Sequence, residues 1–396
     1  MRHCKDCEPA QEIHWMAYLS VVISWINDPY NDFMDIFFKR AVDRLSKKWT
    51  MPFFRGMIWL HLARWTDEPN QKDSLRTKVF WNEAIRRGIT MREFHLGPID
   101  NVFMAEYKGK TITFDGLPRP DSGNSDSMKW MDNKGIMKEK FLKEGLPVAD
   151  GGRAWSGRGA KKIFSRVRKP VIAKPNLGSR SRHTTIHIET EDGVVKAFRK
   201  ANKLSPIVII EEELEGSLFR GTLVGNKLAG VVRRDPPQVT GDGASTVRQL
   251  WEKENTRPER AHGPIFHTIP FDKEAEIELA RQKLTMESIP ASGRIVTFSQ
   301  KTSRGVGGST TEVTDIVHPE NRAMLEHLGA YLDDPLVGVD FIMKDIAVSW
   351  KDQPRSGIIE CNSLPFIDLH EYVLFGRPNN VAAILWDYVM PESRTN

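Results

Sequence analysis

The chain has 396 residues, 40% of them hydrophobic and 28% charged, which excludes an intrinsically disordered polymer. Three cysteines cannot build a disulfide framework, and the longest apolar run, from Trp15 to Ile26, is too short for a membrane span of about 20 residues. Lys plus Arg number 57 against 52 Asp plus Glu, a net charge of +5 that suits an anionic small molecule without demanding nucleic acid.

The start, MRHCKDCEP, lacks the shape of a secretory signal, so the sequence reads as cytoplasmic. Residues 1–70 read as helical. Apolar positions recur at three- and four-residue steps (Trp15, Leu19, Val22, Ile26), and five tryptophans here read as helix packing. Cys4 and Cys7 form a CxxC pair with no second pair. With only His3 and His14 to assist, it falls short of the usual zinc set of about four ligands. A helix is expected over Lys78 to Arg87, stopped by Gly88, and a strand over Thr111 to Phe114. A Pro/Ser/Gly-rich break at 118–125 marks a domain boundary.

Residues 126–150 read as a helix ending at Gly145. Residues 151–182 then carry ten Lys or Arg and no acid. The basic run flanks a strand, Val171 to Lys174, and a Gly/Ser loop, Asn176 to His183. A lysine on a strand end beside such a loop is a phosphate-holding arrangement. His183 reads as solvent-facing. A helix follows over Val194 to Asn202, then a buried strand, Ile207 to Ile210, ending in Glu211, Glu212, Glu213 and Glu215. If the strand continues, Glu211, Glu213 and Glu215 share one face. Gly225-Asn226 signals a hairpin between Phe219–Val224 and Lys227–Arg233, and Ser245 is a helix N-cap candidate.

Two late strands carry the sharpest constellation. In Gly357 to Asn362, Glu360 and Asn362 share a face while Cys361 points away into the core. Asp340, in the strand Val337 to Met343, is placed to join them. This all-oxygen set suits Mg²⁺, and pairing of the carboxylates with arginines is the competing structural reading.

From about 126 to 370 these motifs, in this order, resemble the ATP-grasp superfamily, and most nearly the ATP-grasp domains of cyanophycin synthetase and glutathione synthetase-type ligases. The carriers are Asn133-Lys134 through Gly145-Leu-Pro-Val, Val171-Ile-Ala-Lys174-Pro175, and Ile209 to Gly216. After them come RRDPPQVTGDGASTVRQL (233–250), Gly307-Gly308 to His318-Pro319, and the Asp340, Glu360 and Asn362 set. The chain departs from the pattern at Leu218, where a ribose-holding acid is expected, and in its arginine-rich flap (Arg180, Arg182). GxxxxGK[ST], HExxH, GxSxG and GxGxxG are absent, and residues 1–70 match nothing in the pattern.

The resemblance implies an α/β (α+β) ATP-grasp fold in three parts. These are an N-terminal helical plus α/β domain (1–125), a central lid (126–216) and a C-terminal subdomain with the magnesium site (217–396). It implies a C–N ligase that uses ATP to join small-molecule carboxylate and amine substrates, amino acids or short peptides, through an acyl phosphate. By the same resemblance Lys134 and Lys174 hold phosphates under a flap containing Gly178 and Ser179. Glu211, Glu212 and Leu214 line the adenine hinge, and Glu215 takes the ribose. Asp340, Glu360 and Asn362 hold one or two Mg²⁺, with Mn²⁺ as a substitute. Arg220 and Arg294 stabilise the transferred phosphoryl group, and Lys301 and Arg304 clamp a substrate carboxylate. Neither nucleic acid nor membrane is expected as a partner, and the oligomeric state is left open, a homo-oligomer being one option. The competing reading is a nucleotide-binding ATP-grasp protein that has lost turnover.

Overall fold

The computed structural model describes residues 4, 13–19, 21–23, 52, 56–69, 74–96, 99–119, 127, 130–131, 133–177 and 182–394. Gly178 and Ser179 of the expected flap, and Cys7, lie outside the described residues.

The N-terminal unit is a helix on an antiparallel meander. Helix α1 (Leu75–Arg86) starts at Ser74, whose hydroxyl accepts from the Thr77 N–H, and Gly88 takes the left-handed conformation after it (φ +70°). Strands β1 (Arg64–Thr66), β2 (Thr90–Leu96), β3 (Ile99–Tyr107) and β4 (Lys110–Asp115) pair in chain order. Among the described residues, reading 1–70 as helical holds for 14–19, 21–23, 52 and 56–59 but fails at β1, which pairs with β2. A helix from the far end of the chain, Val381–Val389 (α8), packs against α1 and joins the same core. Phe80 stacks on Trp386 at 4.2 Å between ring centroids, and the Trp386 indole N–H donates to the Phe80 carbonyl (3.0 Å).

Helix α2 (Lys134–Lys143) leads into a four-stranded antiparallel sheet of order β5-β8-β6-β7. Its strands are β5 (Gly151–Ala154), β6 (Val171–Pro175), β7 (Thr185–Ile188) and β8 (Val208–Glu212). Helices α3 (Gly157–Arg166) and α4 (Glu191–Ala201) cover one side, with Phe164, Phe198, Ala160 and Val194 filling the core. The strand ends at Glu212, so the period-2 alternation expected through Glu215 does not continue.

The second large sheet has the order β13-β10-β9-β14-β15. It comprises β9 (Ser217–Val224), β10 (Lys227–Asp235), β13 (Ser309–Glu312), β14 (Leu336–Met343) and β15 (Gly357–Asn362). The β9–β10 hairpin turns at Gly225 and Asn226, both at positive φ, as expected of that dipeptide. Phe219, Val339, Phe341 and Cys361 point to one face and pack with Leu325 and Leu328 of helix α7 (Pro319–Leu332). The opposite face carries the charged residues. Between β10 and β13 the chain builds a small separate core around Val247, Leu279 and Phe298. It rests on β11 (Gln238–Thr240), β12 (Ile295–Thr297), α5 (Val247–Asn255) and α6 (Lys273–Arg281). Helix α5 is capped by Thr246 in a capping box with Gln249, one residue after the expected Ser245. Among the described residues no helix is long and apolar enough to cross a membrane.

Candidate active site

Antiparallel register alone assembles the charged face. Val232 (β10), Arg220 (β9), Asp340 (β14) and Glu360 (β15) are consecutive partners across four strands. Cross-strand partners share a face, and so do residues two apart on a strand. Asn362 and its partner Gly338 therefore lie on the same face one step along, and Arg234 lies there one step the other way. The sequence grouping of Asp340, Glu360 and Asn362 is thus realised by strand pairing.

Arg220 grips Asp340 with both nitrogens of its fork, one contact being the Nη2–Oδ2 bond at 2.7 Å. Both residues are buried. Burial alone would raise the Asp340 pKa, yet the Arg220 guanidinium holds it below the usual carboxylate value. Glu360 goes the other way. Burial pushes it up, Asp340 adds like-charge repulsion, and Lys134, Arg220 and Lys174 only partly offset this. Gly338 leaves the space into which Arg220 extends, since a Cβ there would stand 3.0 Å from Arg220 Nη1.

Three donors on this face lack a hydrogen-bond partner although buried: Arg220 Nη1, Arg234 Nε and Asn362 Nδ2. Orphaned buried donors are rare and costly unless a ligand meets them. Two guanidinium N–H groups and an amide suit phosphate oxygens. Beside them the carboxylate of Glu360, the amide oxygen of Asn362 and the outer edge of Asp340 form a hard oxygen set. The residues therefore fit a magnesium nucleotide.

The other wall comes from α2 and the β5-β8-β6-β7 sheet. Lys174 on β6 and Lys138 on α2 both bind Glu211, at 2.5 and 2.6 Å from its two oxygens. Burial would raise the Glu211 pKa, but Lys174 and Lys138 bring it down to about 2. Lys134 stands one helical turn before Lys138. It is half-buried and electrostatically coupled to Glu360, which brings the two walls together. Glu212 accepts from the Asp150 N–H (3.1 Å), and half-buried Leu214 lies in the connection between β8 and β9. Glu215 is occupied by Lys344 (2.6 Å) and Arg355 (2.9 Å) and stays substantially exposed.

The remaining candidates separate. Half-buried Arg304 pairs with buried Asp368, and its charge reaches Arg234, so it borders the cluster. Arg294 is exposed and donates to the Gln282 carbonyl (2.8 Å), and Lys301 makes an exposed pair with Glu274 (2.8 Å). Both belong to the inserted unit, and among the described residues neither forms an ion pair with the Asp340–Glu360 cluster. Lys138 and Arg234 were not singled out from the sequence. The signals were present: Lys138 follows Lys134 by four residues on a helix, and Arg234 is two residues from the Arg220 partner Val232. His183, expected to face solvent, is 1% exposed.

No family model matches the chain. It is 31% identical over 226 residues to a cyanophycin synthetase of Synechocystis sp., covering 56% of this chain and 26% of that protein. It is 27% identical over 324 residues to the glutathione biosynthesis bifunctional protein GshAB of Listeria innocua, covering 80% of this chain and 41% of that one. The chain thus spans well under half the length of these curated relatives. The crystal structure of a bifunctional glutathione synthetase from Pasteurella multocida aligns over 81% of this chain and 44% of its own, with 22% identity and a TM-score of 0.61. The chain has the mixed α/β ATP-grasp fold, and cyanophycin synthetases and bifunctional glutathione synthetases are among its relatives.

Proposed function

We propose that the protein is an ATP-dependent carboxylate–amine ligase, forming an amide or peptide bond on amino-acid or small-peptide substrates and releasing ADP and phosphate. One observation carries this reading. Lys134 and Lys174 converge with Arg220, Arg234, Asp340, Glu360 and Asn362, and the buried donors among them are unmet.

In this reading Lys134 and Lys174 neutralise the nucleotide phosphates, and Glu211 hands over Lys174 as nucleotide enters. Residues 211–216 receive the adenine, with Glu215 turning from Lys344 to the ribose. Mg²⁺, or Mn²⁺ in its place, supplies charge neutralisation between phosphates when held by Asp340, Glu360 and Asn362. A substrate carboxylate oxygen bonds to the γ-phosphorus and the bond to ADP breaks. The amine nitrogen then bonds to the acyl carbon, phosphate leaves, and the amine proton passes to solvent. Arg220 and Arg234 aim N–H groups where charge develops on the transferred phosphoryl group. Arg304 borders the acyl side, and Arg294 and Lys301 are surface candidates for substrate capture. The lid is assigned to 126–216 and the remaining machinery to 217–396.

The test is ADP and phosphate release with Mg-ATP against pooled amino acids and dipeptides, with mass spectrometry of the products. An amide product that disappears in Glu360→Ala supports the ligase. Nucleotide binding without turnover on any pool favours a binding protein that has lost catalysis, and failure to bind ATP overturns the site.

A further inference from the structure

A second cluster of ligand-type side chains shares no residue with the proposed nucleotide site. Cys4, His14 and His183 are far apart in sequence, yet their ligand atoms all lie within 4.8 Å of one another. Cys4 Sγ stands 3.6 Å from His183 Nε2. A tetrahedral ion with a sulfur bond of about 2.3 Å and nitrogen bonds of about 2.0–2.1 Å sets that edge at about 3.6 Å. The rings of His14 and His183 meet edge-on at 89°, with centroids 4.8 Å apart.

The surroundings of His183 decide its tautomer. Its Nδ1 lies 2.9 Å from the carbonyl oxygen of Lys200, at the end of α4. A carbonyl only accepts, so Nδ1 carries the proton and Nε2 turns its lone pair toward Cys4. A backbone carbonyl behind a ligating imidazole is the usual outer support of a metal site. The ring is buried, so its orientation is fixed by packing as well.

We propose that Cys4, His14 and His183 bind a zinc-class divalent ion that fastens the N-terminal segment to the root of the lid, just ahead of β7. One thiolate and two imidazoles select zinc over magnesium. On binding, the Cys4 thiol gives its proton to solvent and the sulfur bonds to the metal. Among the described residues the site offers three of the four ligands a tetrahedral ion takes. The CxxC pair, which has no role in the proposed ligase chemistry, thereby contributes Cys4 to a site whose third ligand lies 179 residues away. Without an ion the same geometry is a thiol–imidazole hydrogen bond, and the experiment separates the two.

The full-length protein, stripped with a chelator, is titrated with Co²⁺ and then Zn²⁺. The expected result is one cobalt per chain with a thiolate-to-cobalt charge-transfer band, displaced by zinc. Cys4→Ser abolishes the band. Cys4→Ser and His14→Ala each weaken zinc binding by on the order of a hundredfold or more, since loss of outer support alone costs about 10- to 100-fold. His262→Gln, at an exposed histidine, leaves binding unchanged. Cys4 and His14 are only half-buried, so the test does not depend on the buried His183, and circular dichroism checks each fold. Absence of the cobalt band, or zinc binding equal to the parent in both variants, overturns the site and leaves the hydrogen bond.

Discussion

Glu211 sits between two ammonium groups in a buried pocket, and its acidity follows from them. Its folded value of about 2 lies below the ordinary 4.5, so the stabilisation is present above about pH 4.5 and is lost as pH falls toward 2. Glu211→Gln is expected to lose about 3 kcal/mol of stability at pH 7. The difference shrinks toward zero near pH 2. Urea unfolding across that range checks it, and a gap independent of pH contradicts the assignment. Glu360 has the opposite sign. Its value is raised by burial, so the ionised group costs stability once pH rises through its folded value. Glu360→Gln should therefore raise the melting temperature of the ligand-free protein at pH 7 and leave it unchanged at pH 4, while removing any magnesium-dependent shift. Calorimetry with and without Mg-ATP reads both effects. At this scale the sequence was most informative where strand periodicity is rigid: Glu360 and Asn362 had to share a face. It was least informative where partners come from other elements, as with Lys138, Arg234 and the ion pairs that hold Glu215.

Among the elements, the connection from β8 to β9 joins the two sheets that these strands belong to, and Gly216 closes it at φ +119°. A Cβ on Gly216 would overlap the Met343 carbonyl, so both conformation and space require glycine. Gly216→Ala is expected to cost about 3 kcal/mol, combining strain with a backbone shift. Equilibrium unfolding measures this, and a loss below about 1 kcal/mol would show that the connection yields easily. Arg355 reinforces the same joint, bonding Glu215 (2.9 Å) and the carbonyls of Glu213 and Pro170. The helix at Leu75–Arg86 and the β9–β10 hairpin were legible to within a few residues, because Gly88 and Gly225-Asn226 act locally, whereas the helix read from 126 begins only at Lys134, behind the unread cap Asn133. The strands β2 and β3 were not, since Glu93 is buried among their apolar residues and interrupts the alternation.

At the scale of the whole molecule, the first helix–sheet unit and the last long helix share one core. Phe80 and Trp81 of α1 and Phe103 of β3 pack in one cluster with Leu385 and Trp386 of α8, and Arg87 pairs with Asp387 at 2.6 Å. Trp386→Ala should cost about 3–5 kcal/mol. Hydrogen exchange should then rise together in residues 75–117 and 381–390. Exchange confined to α8 would mean that the N-terminal sheet stands alone. This closure was hidden from the sequence, because nothing local links positions three hundred residues apart. The ATP-grasp architecture was legible because its motifs occur in a fixed order.

The inserted unit has one further geometric property. The chain leaves the large sheet at Asp235 and returns at Ser309, and these two residues are partners on neighbouring strands. Departure and return meet on a single rung. An added or lost helix inside the loop therefore changes no strand pairing outside it. Lineages can lengthen, shorten or exchange this cassette while inheriting the Arg220–Asp340–Glu360 row intact.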